Sequence, residues 1–155
     1  MKKILTTLSM ILVAFTAMVF TSCEAEDAPE RTQVVQFYCA PNSDLSSVCD
    51  LEVVYTNEQG STVTEPLNNA FSKRLSINKF PMSGSFKIHA TKKSTLPDQY
   101  TFSLKLDCRY THGISQDNTP VWGVVMSRSQ LDDFIEKINN KSWNWEFSND
   151  GTSMR

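Results

Sequence analysis

From Tyr100 to Tyr110 the chain alternates without exception. Tyr100, Phe102, Leu104, Leu106, Cys108 and Tyr110 fall on one side, and Thr101, Ser103, Lys105, Asp107 and Arg109 on the other. A period of two over that length predicts a strand with one face on a core and one in water. The same period recurs in Asp50 to Thr56 (Leu51, Val53, Tyr55), Phe71 to Ile77 (Phe71, Lys73, Leu75, Ile77), Ser85 to Thr91 (Phe86, Ile88, Ala90) and Ser142 to Phe147 (Trp143, Trp145, Phe147). Thr32 to Cys39, rich in Val and aromatic residues, predicts a first strand. Asn57-Glu58-Gln59-Gly60 reads as a hairpin turn, so Ser61 to Glu65 returns as a short strand. Val121 to Met126 is apolar on both faces, which predicts a central strand or one covered by the element that follows.

That following element has a different period. Leu131, Phe134, Ile135 and Ile138 stand at i, i+3, i+4 and i+7, the single apolar stripe of an amphipathic helix. Ser127 or Ser129 supplies its N-cap, Ser129 forming a capping-box pattern with Asp132. The stretches between periodic segments (40 to 48, 66 to 70, 92 to 99 and 111 to 119) are polar or rich in Pro, Asn and Ser and read as loops. Strands in series with turn signals between them define a mainly β fold. We expect one antiparallel β-sandwich of seven to eight strands at 33–147, with one C-terminal amphipathic helix before the last strand. A lipocalin-like β-barrel is the alternative, because strands, one helix and a last strand come in that order there too. It departs at the first strand, where a lipocalin carries Gly-x-Trp and this chain has Thr32-Gln33-Val34. The polar stretch 148–155 is expected to be a disordered tail.

The first 22 residues follow neither period. Lys2 and Lys3 precede a run from Ile4 to Ser22 without a charge, which ends at Cys23. A positive start, an apolar stretch and small residues before the end are the parts of an export signal. Thr6, Thr7, Ser9 and Thr16 dilute the run, and the flank beyond it is acidic (Glu24, Glu26, Asp27, Glu30), so it lacks the basic stop of a membrane-spanning anchor. Phe20-Thr21-Ser22-Cys23 resembles the lipobox of bacterial lipoproteins of the Bacteroidota type, with Phe20 standing where Leu is usual. The resemblance implies cleavage of 1–22, lipidation of Cys23, and a lipid anchor holding the chain to the outer membrane. A flexible tether at 23–32 would follow. The acidic run is similar to the surface-export signals of the same group, which would place the domain at the cell surface. In general outline the domain resembles the immunoglobulin-like or transthyretin-like sandwiches of small surface lipoproteins, although no motif within 33–147 is specific to a family.

Charge and chemistry narrow the function further. Without residues 1–22 the chain carries 13 basic and 17 acidic residues, a net of −4 with neutral histidine. A nucleic-acid partner is therefore not expected, because phosphate binding needs a clustered positive surface. Export would permit disulfides. Cys39 and Cys49 stand at the ends of two expected strands joined by a short loop, and a bridge there would contribute about 3 kcal/mol. Cys108, on the apolar face of its strand, is expected to stay a buried free thiol, with a bridge from it to either other cysteine left open. With two histidines and no C-x₂-C or H-x₃-H spacing, no metal is expected. No catalytic motif or cofactor fingerprint is present, so the chain reads as non-enzymatic and free of cofactors. His89 reads as a surface residue on a strand, and His112 as one in a loop. Asp44 and Asp50 flank a loop without the oxygen spacing of a calcium site.

The aromatic residues leave two readings. Trp143 and Trp145 share one strand face and either close the core or form a contact surface for sugar rings. Trp122, beside Gly123, carries the same ambiguity. The function expected is a lipid-anchored, surface-exposed binding or structural module whose partner is a protein or a glycan. The alternative is a carrier of a small hydrophobic ligand, which requires the barrel.

Overall fold

The computed structural model describes residues 31–96 and 101–154. Ten strands run in the order β1 (Gln33–Pro41), β2 (Cys49–Thr56), β3 (Thr62–Pro66), β4 (Phe71–Ile77), β5 (Met82–Lys92), β6 (Phe102–His112), β7 (Ser115–Asp117), β8 (Val121–Val125), β9 (Ser142–Phe147) and β10 (Ser153–Met154). Among the described residues two helices interrupt them, α1 (Ser43–Val48) between β1 and β2, and α2 (Arg128–Asn139) between β8 and β9. Every pairing is antiparallel. One sheet, sheet A, has the order β4-β1-β6-β7 with β8 also on β6, and the other, sheet B, has the order β10-β9-β5-β2-β3. The sheets do not close on each other. The fold is a β-sandwich, and the lipocalin-like barrel is overturned.

Alternation places the core. On β6 all six residues from Phe102 to His112 at even positions are buried, and β2, β4, β5 and β9 bury alternate positions in the same way. Phe37 of sheet A stacks on Phe86 of sheet B with ring centroids 4.7 Å apart, and lies 4.9 Å from Trp143. The core is therefore an aromatic layer shared by both sheets, with pair geometries favourable beyond plain burial. Polar clasps join the sheets at its margin. Tyr110 donates its hydroxyl to the Asn144 carbonyl at 2.7 Å, and Trp143 donates its indole N–H to Asp117 Oδ2 at 2.8 Å.

Helix α2 forms as its stripe predicts. Ser127 is the cap, accepting the Gln130 N–H at 3.3 Å, while Gln130 reaches back to accept the Met126 N–H at 2.7 Å. This Ser127–Gln130 exchange replaces the expected Ser129–Asp132 pairing. Leu131, Phe134 and Ile138 are buried against β5 and β8. At the far end of the helix the Asn139 side chain both accepts from Ala90 N (2.7 Å) and donates to Ala90 O (3.1 Å), pinning the helix to β5.

Two local features, at 40 to 48 and at 148 to 154, depart from the sequence reading, and β8 follows the alternative in which the next helix covers it. The stretch 40 to 48 contains α1, a short helix capped by Asn42 and anchored by buried Leu45 and Val48. Strand β8 lies at the side of sheet A, paired only with β6, and its two faces differ. Val121 and Val125 are buried beneath α2, whereas Trp122 and Val124 face outward. Residues 148 to 154 form a turn and the strand β10 rather than a disordered tail. Thr152 N–H donates to Asp150 Oδ1 at 3.0 Å, Ser148 N–H to Thr152 O at 3.0 Å, and β10 pairs with β9.

Candidate functional site

Of the two readings open for Trp143 and Trp145, the structure places both in the core and not on a contact surface. Trp143 is 4% exposed and Trp145 2%, because β9 pairs with β5 and turns Trp143, Trp145 and Phe147 toward sheet A. Trp145 lies opposite Gly84 on the neighbouring strand, and its indole N–H is buried without a partner among the described residues. The exposed tryptophan is Trp122, at 65%.

The three cysteines among the described residues, Cys39, Cys49 and Cys108, are buried free thiols. Cys39 and Cys49 are not bridged, which corrects the pairing suggested by their closeness in sequence. Between them α1 carries the chain from sheet A to sheet B. The residue opposite Cys39 is Cys108, on β6, while Cys49 lies opposite Lys92 on β5. Burial pushes the Cys49 thiol up to about 11 and Cys108 to about 12, and drives Cys39 higher still, with Cys108 nearby adding to the effect.

His112 is not a surface loop residue. It ends β6, is buried, and has Nε2 2.8 Å from Ser153 Oγ and 3.4 Å from the Glu146 carbonyl. A histidine and a serine at that distance invite a nucleophilic reading. The ring packs edge-on against Phe147 at 5.2 Å, and its contact with Ser153 ties β10 to β6; among the described residues no carboxylate is hydrogen-bonded to it. His89 is exposed on β5. Asp44 accepts the Ser103 N–H at 2.9 Å and Asp50 faces Lys93 at 3.8 Å, so the two serve separate local contacts. Among the described residues no three His, Cys, Asp or Glu side chains gather into a metal site.

What the pairing does bring together lies on the outer face of sheet A. Strand β1 sits between β4 and β6, with Gln36 opposite both Arg74 and Thr111, and Tyr38 opposite Ser72 and Arg109. With β7, these strands form an open groove of about 820 Å³ lined by Gln36, Tyr38, Arg74, Arg109, Thr111 and Gln116 among others. The Arg109 guanidinium lies over the Tyr38 ring, 5.5 Å from its centroid. Strand spacing and rise put the Arg74 and Arg109 Cα atoms roughly 12 Å apart, within joint reach of two long side chains. Neither guanidinium enters any of the ion pairs among the described residues. The nearby carboxylates are engaged elsewhere. Asp107 pairs with Lys105 at 3.0 Å, and Asp117 is held by Trp143 and Lys141. Burial raises the Asp117 carboxyl, but the hydrogen bonds from Thr119 and Trp143 and the charge of Lys141 outweigh it and hold it below the usual range. Beyond the groove, Trp122 stands opposite Lys105 on the same outer face.

Sequence reasoning missed this site because its residues come from four separate strands. No family model, curated protein or solved structure matches the chain. Cys23, the expected leader at 1–22 and most of the expected tether at 23–32 lie outside the described residues, and among the described residues no helix is long and apolar enough to cross a membrane.

Proposed function

We propose that the chain is an exported, lipid-anchored, non-enzymatic binding module whose outer sheet A groove takes an acidic glycan. The observation that carries this reading is the pair Arg74 and Arg109, two guanidinium groups in one open groove of a net-acidic chain, with no ion-pair partner among the described residues. A planar guanidinium suits a carboxylate or sulfate by bidentate hydrogen bonding. Around it, Gln36, Thr111 and Gln116 offer the amide and hydroxyl groups that exchange hydrogen bonds with sugar hydroxyls. An open groove also suits a long chain better than an enclosed small molecule.

The test is calorimetric titration of the protein with an oligogalacturonate and with its neutral methyl ester. Hydrogen bonds to charged groups contribute about 1.5–3 kcal/mol. Arg74→Gln and Arg109→Gln are therefore each expected to weaken uronate binding by about tenfold or more and to leave the melting temperature unchanged. Equal affinity for acid and ester, or unchanged affinity in both variants, would remove the acidic glycan from this reading.

A second reading, a protein partner, is favoured by the row Trp122, Val124 and Met126, exposed at 65%, 53% and 63% at alternate positions. Apolar side chains clustered on an outer face commonly mark contact surfaces.

Attachment is tested separately. Cys23 is expected to carry lipid, and two or more acyl chains make attachment stable where one does not. Mass spectrometry of the protein extracted from membranes should find an acylated Cys23 at its N-terminus. The Cys23→Ala variant should leave the membrane fraction or retain residues 1–22. A membrane-bound wild-type protein that keeps its leader would contradict the anchor.

A further inference from the structure

We propose that Cys39 and Cys108 become joined by a cross-strand disulfide when the chain folds in the presence of a disulfide oxidant. The ladder between β1 and β6 supplies the geometry. Just past the end of β1, Asn42 donates its backbone N–H to the Lys105 carbonyl at 2.9 Å, and Lys105 N–H returns to the Asn42 side-chain oxygen at 3.1 Å. Asn42 and Lys105 thus occupy a hydrogen-bonded position of the antiparallel ladder, and such positions alternate with non-hydrogen-bonded ones. Counting back along the register, Pro41 faces Leu106, Ala40 faces Asp107 and Cys39 faces Cys108. Three steps from a hydrogen-bonded pair is a non-hydrogen-bonded pair. There the Cα atoms stand about 4.5 Å apart and the side chains are at their closest, inside the roughly 4.4–6.8 Å that a disulfide spans.

The side chains also point the same way. Cys39 and Cys108 are 0% and 2% exposed, both on the core face of sheet A. Cys49, in sheet B, has no cysteine opposite it. Since the bond would join residues 39 and 108, it would close a long loop. This is the case in which a cross-link removes most freedom from the unfolded chain.

The chemistry is thiol–disulfide exchange with an external disulfide, such as oxidised glutathione or a disulfide-carrying oxidoreductase. One thiol loses its proton, and the thiolate attacks the oxidant's S–S bond and displaces one thiolate from it. The second thiol, likewise deprotonated, attacks the mixed disulfide and displaces the other. One S–S bond forms in the chain and one breaks in the oxidant, which leaves as two thiols carrying the two electrons and two protons. In the folded domain both sulfurs are buried and their thiolates disfavoured, so the exchange takes place as β1 and β6 come together. The proposal is independent of the groove and of the lipid anchor.

The experiment is refolding of the full chain from urea in a mixture of reduced and oxidised glutathione. Free thiols are then alkylated under denaturing conditions, and peptides are mapped without reduction. The expected result is a peptide pair linked through Cys39 and Cys108, with Cys49 alkylated. Alkylation of both Cys39 and Cys108, or a bridge through Cys23 or Cys49, would overturn the proposal. As a second measurement, reductant should lower the melting temperature of the refolded wild type and leave that of the Cys39→Val/Cys108→Val variant unmoved. An equal response in the two proteins would count against the bond.

Discussion

Trp145→Ala is expected to lower the stability of the domain by about 3–5 kcal/mol, the cost of removing a large aromatic side chain from a packed core. Trp145 is among the largest fully buried side chains of the domain, and its ring lies 5.9 Å from that of Phe147. Its indole N–H has no hydrogen-bond partner among the described residues, so the loss is one of packing and apolar area. The conservative variant is therefore informative. Trp145→Phe keeps most of the area, removes an unpaired buried donor, and should cost less than about 1.5 kcal/mol. Against a typical total of about 5–15 kcal/mol, the alanine variant should melt far below wild type and the phenylalanine variant near it. Urea titrations of the three proteins measure this directly. An alanine variant as stable as wild type would mean that β9 does not face the core.

The contrast with the groove is part of the same expectation. Core changes at Trp145 should alter melting, while the exposed arginines should alter binding alone. That separation was not available from sequence. Trp143 and Trp145 announce themselves as a row because they sit on one strand. Arg74, Gln36 and Arg109 sit on three strands, and only the order β4-β1-β6 makes them neighbours. Local alternation says which face a residue takes but nothing about which strand lies beside it. The cysteines show the same limit. Cys39 and Cys49 are close along the chain, yet α1 carries them into different sheets, and Cys108 is the residue that strand pairing sets opposite Cys39.

Sustained alternation is what makes a strand legible in sequence. β2, β4, β5, β6 and β9 were legible because one face of each is buried, and the α2 stripe was legible for the corresponding reason at a period of 3.6. The short elements had no such signal. β7 is Ser-Gln-Asp and β10 is Ser-Met, and neither carries an apolar alternation. β7 is made by the tight turn at Gly113, whose φ of +54° suits glycine, and β10 by its pairing with β9 and the Ser153–His112 contact. His112 itself continues the even-numbered face of β6. The sequence reading stopped at Tyr110 because Thr111 and His112 are both polar types. In α1, the Leu45–Val48 spacing is a single helical repeat inside a Pro-Asn-Ser-Asp context that favours turns.

Gly84→Val is expected to be destabilising by about 3 kcal/mol, the upper part of the usual range for overpacking. A β-branched residue would ordinarily suit a strand better than glycine, so propensity alone gives the opposite sign. Packing decides. A Cβ placed on Gly84 would stand 2.6 Å from Thr56 Cβ and 2.7 Å from Trp145 Cε2. Gly84 and Trp145 face each other across β5 and β9, so the indole lies over the glycine in the space that a side chain would take. The ring is 2% exposed and hemmed in by the core, and it cannot swing away at little cost. It follows that the two positions are coupled, since each substitution changes the room available to the other. In the double variant Gly84→Val/Trp145→Ala, the valine enters the cavity left by the indole. The overpacking is relieved and part of the cavity is filled. Its loss of stability should fall short of the sum of the single losses by about 1–3 kcal/mol, the scale of coupling between residues in contact. Denaturant titration of the wild type, both single variants and the double variant gives that coupling. Strict additivity would show that Gly84 and Trp145 do not share the space between β5 and β9.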